Sequence, residues 1–325
     1  MIILLFVLII GLCIGSFLNV VILRAFSNES IVFPASKCPK CQHKLYWWHN
    51  IPVLSYILLR GKCGFCKEKI SIQYPIIELV TGLIFVLVFL KYGFSVDTLF
   101  SWGFASLFIV LAVTDIKEKV VFDAHTYSLI AIGLLYAILV ASVQVYADYS
   151  LIGEFEVTSK WLLNNHVTES VFGLVLGFVF MELIARSGYL LAGTRAFGEG
   201  DSYIAAGLGA VFGWRILVDI IVMSIIIQFI LTIPMFIKTE LTKKNYKTLG
   251  YFGLFIAYTI AFVLTQYFGY LTNMLVFIPV AVGLLIIGLL LCRAILSGIK
   301  NNPEERTYLP FGPALVIAGF IVLLI

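Results

Sequence analysis

From Met1 to Leu23 the chain carries no charged side chain, and apolar runs of this kind recur to its last residue. That feature constrains the fold more than any motif. A helix needs about 20 apolar residues to cross the hydrocarbon core of a bilayer. The core offers the backbone no hydrogen-bond partners, so a spanning segment must satisfy its own N–H and C=O groups. Over the 325 residues, 61% are hydrophobic and 12% are charged. A soluble domain carries about 25% charged residues, so there are too few charges here to cover a water-facing surface. The sequence predicts an all-α polytopic membrane protein.

Ten spans are expected, near 1–23, 74–91, 98–115, 127–147, 167–186, 201–213, 215–237, 250–271, 274–297 and 309–325. The sixth is short for a full crossing and reads either as a half-helix or as part of a longer tilted one. The first run lacks the basic start and small-residue cleavage site of a secretory signal, and its first positive charge, Arg24, follows it. It is expected to be an uncleaved anchor with its N-terminus outside.

Charge in the connections orients these spans. The segment 24–73 carries Arg24, Lys37, Lys40, Lys44, Arg60, Lys62, Lys67 and Lys69 against Glu29 and Glu68. Lys117 and Lys119, Arg186 and Arg195, the lysines at 238–247, and Lys300 with Arg306 fall on the same side under ten crossings. The connection at 148–166 is mostly acidic. The positive-inside rule makes the basic side cytoplasmic.

The one sizeable water-facing module, 24–73, contains four of the six cysteines. It reads CPKC (Cys38, Cys41), 21 intervening residues, then CGFC (Cys63, Cys66). Two such turns each aim a pair of sulfurs inward, and four thiolates complete a tetrahedral zinc shell. A reducing compartment disfavours structural disulfides. Rubredoxin-like iron and a redox role are the other readings of the spacing. With all four positions filled by protein the site would be structural, and about fifty residues bury too little core to fold without help. His43 and His49 lie between the pairs and read as surface histidines. Cys13 and Cys292 sit alone in apolar runs as small hydrophobes.

Ionisable residues at membrane boundaries carry functional hypotheses by default. Asp115 ends the third span in LAVTDIKEK, and Asp201 opens the sixth in FGEGD. Two crossings separate them, so both belong to one face. Two carboxylates a few ångströms apart cannot easily both ionise and share a proton. One can then activate water while the other protonates an amide carbonyl. Gly198 and Gly200 would let backbone or an extended substrate approach Asp201. On the residues alone other readings stand beside this one. Asp201 also fits a helix cap, Asp115 fits a solvated interfacial cluster with Lys117, Glu118 and Lys119, and Asp123 fits a cap. AAGLGAVFG fits glycine-mediated helix packing. An ion-coupled transporter with a regulatory zinc module is the functional alternative.

The ordered set of motifs resembles the prepilin peptidase (type IV leader peptidase) family of GxGD-type membrane aspartic proteases. The resemblance rests on GSFLNVVILR at 15–24, the paired CxxC turns, QYPIIELVTG at 73–82, GEGD at 198–201 followed by AAGLGAVFGW, and LPFGPAL at 309–315. It implies catalytic aspartates at Asp115 and Asp201, zinc ligands at Cys38, Cys41, Cys63 and Cys66, and location in the bacterial inner membrane. It also implies cleavage of the basic leader from prepilins or pseudopilins at the cytoplasmic membrane face. The bilayer and these substrates are the expected partners, with no nucleic acid. Many members also methylate the new N-terminal amine, which makes S-adenosylmethionine an expected second cofactor by resemblance. No glycine-rich Rossmann fingerprint is visible, so such a site must be built differently.

Tyr203 stands where the family often has lysine, and Phe122 where it often has proline. The expected organisation is a first helix (1–23), the zinc module (24–73), a catalytic core (74–237), an inserted helix pair (238–302) and a final helix (303–325).

Overall fold

The computed structural model describes residues 2–27, 30–33, 35–152, 165–192, 198–267, 282–283, 286–291, 293 and 310–325. The helices are α1 (Ile2–Ser27), α2 (Leu54–Leu58), α3 (Gln73–Tyr92), α4 (Val96–Glu118), α5 (Asp123–Ile152), α6 (His166–Ala192), α7 (Glu199–Thr242), α8 (Tyr246–Tyr267) and α9 (Gly312–Leu324). Among the described residues the only strand-like pairings are two isolated β-bridges between α1 and α3. Among the described residues six helices, α1 and α3–α7, contain stretches long and apolar enough to cross a bilayer. The first five match the first five expected spans.

The sixth and seventh expected spans lie in α7, which is broken at Gly213 (φ 78°, ψ 167°). That is a backbone conformation open in practice to glycine alone. The division expected between 213 and 215 is therefore a real interruption of the helix. The eighth span corresponds to α8. Most of the ninth, with Cys292, lies outside the described residues. The tenth begins at Gly312, and its 13 residues make a rod of about 20 Å, shorter than the ~30 Å hydrocarbon core.

The chain divides into two compact units. The first comprises 1–183, 197–225 and 310–325, and contains every residue considered below as a site. Lipid tails are as apolar as leucine, so helices in a membrane associate through close packing of small residues. In α1 and α3 that seam is explicit. A Cβ at Gly11 would lie 2.8 Å from Gly82 Cα, and one at Gly15 would lie 2.7 Å from Glu78 Cα. Leu18, Ile22, Ile77, Ile109 and Val110 then fuse α1, α3 and α4 into one core. Phe85 stacks on Trp102 at 4.8 Å, and the Trp102 indole N–H donates to the Phe85 carbonyl at 3.0 Å. At the end of α9, Lys91 Nζ donates to the Leu323 carbonyl at 3.0 Å, placing a cation on a helix C-terminus, where the macrodipole favours it.

The first part of α7, from Asp201 to Ala210, is the centre of this unit, with Ile204, Ala205, Leu208 and Ala210 fully buried. Its small residues follow from its neighbours. Gly173 of α6 and Gly209 of α7 meet backbone to backbone, so neither has room for a Cβ. Gly207 faces Leu129 of α5, and Leu208 faces Gly319 of α9. Ser170 donates to the Ala210 carbonyl, and past the break Arg215 pairs with Glu169 at 3.5 Å.

The second unit comprises 184–196 and 226–309. Within it Phe252 of α8 packs against Phe229 and Phe236, at ring separations of 6.3 and 5.2 Å.

Candidate active site and metal centre

Asp115 lies in the last turn of α4. The helix stops at Lys119, in the left-handed conformation, whose N–H returns to the Asp115 carbonyl at 2.9 Å. The Asp115 side chain is 3% exposed. Its carboxylate lies against Gly312, the first residue of α9, so closely that a Cβ there would collide with Oδ2. The Gly312 backbone N–H also faces this carboxylate, and Oδ2 has no hydrogen-bond partner among the described residues. A buried oxygen left so is unusual in a folded protein and calls for an explanation.

Asp201 lies in the first turn of α7 and is 6% exposed. The Gly198 N–H donates to its Oδ2 at 3.1 Å, the geometry of a carboxylate at a helix N-terminus. Gly200 is closed by the protein itself: a Cβ there would lie 2.5 Å from the Val121 side chain, in the link between α4 and α5. A Cβ at Gly198 would meet only Asp201 Oδ2, at 3.6 Å. Gly312 touches both sides of the site. A Cβ there would also lie 2.9 Å from the Ile204 side chain, and Ile204 lies one turn beyond Asp201. The start of α9 thus packs between the end of α4, at Asp115, and the first turns of α7, at Ile204.

The departures noted in the sequence fall into place beside this. The Tyr203 ring lies near Tyr127 and Phe178, at 6.0 and 5.4 Å, two residues and about 200° around α7 from Asp201. Phe122 packs edge-on against Phe26 at 5.2 Å. Asp123 is exposed and opens α5.

In the module the four sulfurs of Cys38, Cys41, Cys63 and Cys66 all lie within 4.8 Å of one another. Two equivalent knuckles hold them. Cys38 N–H donates to the His43 carbonyl and Cys63 N–H to the Glu68 carbonyl, at 3.0 and 2.8 Å. The residues after each second cysteine, Gln42 and Lys67, both have positive φ. Lys37 bridges Lys44, and Lys62 bridges Lys69. The sequence carries this duplication as KCPKCQHK at 37–44 and KCGFCKEK at 62–69, an internal repeat that a search for helical periods passes over. The backbone N–H groups of Cys66 and Phe65 reach the Cys63 thiol and lower its pKa to about 7, while burial and the neighbouring thiols push Cys66 up to about 11, so crowded thiolates need a cation to coexist. His43 stacks on Phe65 at 3.8 Å, and His49 Nδ1 accepts the Tyr46 N–H at 3.3 Å. Both are engaged outside the sulfur cluster. The four thiols fit a soft, tetrahedral metal ion.

One buried carboxylate was not singled out from the sequence. Glu78 of α3 is 7% exposed, and its Oε2 accepts the Val53 N–H at 2.7 Å. Beside it on α1, Asn19 is 1% exposed and donates to the Tyr74 carbonyl at 3.1 Å. The rule that picked out Asp115 and Asp201, an ionisable residue in an apolar run, also marks Glu78.

The fold and these centres define a helical integral membrane protein with two buried aspartates at helix ends and a separate cluster of four thiols. Comparison with known proteins agrees. A model of the bacterial peptidase A24 N-terminal domain matches residues 9–92, and a model of the type IV leader peptidase family matches 102–233. The chain is 30% identical to a prepilin leader peptidase/N-methyltransferase of Myxococcus xanthus, over 98% of this chain and 89% of the relative. It is 34% identical to a protein so named from Neisseria gonorrhoeae, over 70% and 80% respectively, and 32% identical to one from Klebsiella pneumoniae, over 64% and 84%. No solved structure matches the chain. The chain belongs to the type IV leader peptidase family.

Proposed function

We propose that Asp115 and Asp201 are the catalytic pair of a membrane aspartic endopeptidase that removes the leader from prepilin- or pseudopilin-like substrates. The observation that carries this reading is the shared wall at Gly312, which contacts the Asp115 carboxylate and also Ile204, one turn from Asp201. The ionised member of the pair takes a proton from water as the water oxygen bonds to the scissile carbonyl carbon. The protonated member gives its proton to the carbonyl oxygen. When the resulting diol collapses, the C–N bond breaks and the leaving amine takes up a proton. Roles belong to the pair and are not divided between its members.

The chain sits in the bacterial inner membrane with its N-terminus outside, so the basic connections, the metal module and the aspartates face the cytoplasm. The four cysteines hold zinc, which fixes the two knuckles and takes no part in hydrolysis. A second activity methylates the new N-terminal amine with S-adenosylmethionine, in keeping with the names of the relatives.

The test is processing of a co-expressed prepilin, followed by mass measurement of the product. Wild type removes the leader and adds the mass of one methyl group. Asp115→Asn and Asp201→Asn each abolish cleavage at normal expression. Substantial processing by either variant overturns the assignment of the pair.

A further inference from the structure

Helix α2 of the metal module is turned inside out for a helix in water. Leu54, Ile57 and Leu58, at positions i, i+3 and i+4, form one face, and each is more than half exposed. The other face is the one that packs: Tyr56 lies against Gly61, and Leu59 against Gly64. A few residues earlier, the 3-10 turn Trp47–Asn50 leaves Trp47 74% exposed, and Tyr46 stacks on the half-exposed Trp48 at 4.6 Å. A small module that faced water on all sides would hide this apolar surface, yet among the described residues nothing covers it.

Glu78 fixes the depth of α2. Its backbone packs beside Gly15 of α1, which lies nine residues, or about 13 Å, to the membrane side of Arg24. Arg24 is the first charge in the chain. A glutamate side chain is shorter than that distance, and Glu78 Oε2 accepts the N–H of Val53, the residue before α2, at 2.7 Å. The start of α2 therefore lies deeper than Arg24, alongside the uncharged part of α1. Val53 has a φ of 60°, so the backbone is not helical there. Irregular backbone at such depth needs partners from the protein, and the buried carboxylate is one.

Charge around this surface is of one sign. Residues 35–72 carry seven lysines and arginines against Glu68, all of them exposed, and Arg60 and Lys62 follow α2 directly. Basic groups beside a membrane are drawn to acidic headgroups.

We propose that residues 46–58 are a re-entrant foot that docks the metal module into the adjoining leaflet, and that its partner is an anionic bilayer. The apolar face of α2 meets acyl chains. The rings of Tyr46, Trp47 and Trp48 sit at the headgroup level that such rings favour, and the exposed lysines and arginines hold acidic headgroups. Glu78 pins the foot to α3, which makes it a positioning residue for the module. The foot stands independently of the peptidase reading.

The test places the full-length protein in nanodiscs of phosphatidylglycerol bearing a diazirine in its upper acyl chain. After irradiation, adducts are mapped by mass spectrometry, with the exposed residues of α1 and α3 as the reference. Wild type should carry adducts within 46–58. Adducts on α1 and α3 with none in 46–58 overturn the proposal, and mean that another part of the chain, a second copy or a soluble partner covers this face. The double variant Ile57→Glu/Leu58→Glu should lower adducts in 46–58 at least about fivefold, because a carboxylate is costly among acyl chains, and should leave those on α3 unchanged. Wild-type labelling in this variant overturns the role given to α2. With the same diazirine on phosphatidylcholine, labelling of 46–58 relative to α3 should fall at least about threefold, and equal labelling overturns the anionic partner.

Discussion

Gly312 lacks a side chain where the Asp115 carboxylate fills the space that one would take. Its replacement by alanine must push that carboxylate aside or shift the start of α9. Displacing a catalytic group by about 1 Å costs on the order of 100-fold in rate, so Gly312→Ala should lower prepilin cleavage by about that factor while the protein still reaches the membrane. The glycines before Asp201 differ in the same measurable way. Gly200→Ala would drive a methyl into Val121, whereas Gly198→Ala meets only ordinary contact at 3.6 Å. Gly200→Ala should therefore lose far more cleavage than Gly198→Ala, and equal losses would contradict the packing described. The sequence alone suggested that both glycines admit substrate to Asp201. It could not show that Val121 stands against one of them, because that contact joins residues on different helices.

The first part of α7 shows why sequence patterns left two readings open. AAGLGAVFG fitted glycine-mediated packing as well as an active-site helix, and the packing is what its contacts display. The glycines pack α5 and α6 closely against the helix that carries Asp201, so small residues are what position the carboxylate. Gly209→Val has no space against Gly173 and should abolish the folded protein in detergent, read as loss of a cooperative thermal transition. The metal module was legible for a different reason: four cysteines at fixed spacing specify a ligand shell with little help from tertiary context. Wild-type protein should carry about one zinc ion per chain by elemental analysis. Cys38→Ser or Cys63→Ser should lose it and open the 35–72 region to proteases, while the membrane helices persist. Full metal retention in both variants would contradict a four-thiolate site.

At the scale of the molecule, hydropathy and the placement of lysine and arginine carry most of the architecture, because the bilayer enforces helices and sorts their ends. Counting crossings placed Asp115 and Asp201 on one face, but the position of Gly312 against Asp115 and Ile204 was not legible, because those residues are far apart in sequence. Only the packing of α4, α7 and α9 sets Gly312 against Asp115 and Ile204. Glu78 is the same kind of signal as the aspartates, an ionisable residue in an apolar run, and its burial is set by the packing of α1 on α3. Asp115 and Asp201 are proposed to act as one unit, and groups that act as a unit are strongly non-additive. Rates of prepilin cleavage by Asp115→Asn, Asp201→Asn and the double variant measure this directly. Each single variant is expected to fall by at least about 1,000-fold, with the double variant no slower than either. Losses that multiply in the double variant, or a single variant that retains substantial cleavage, would show that the two aspartates do not share a reaction.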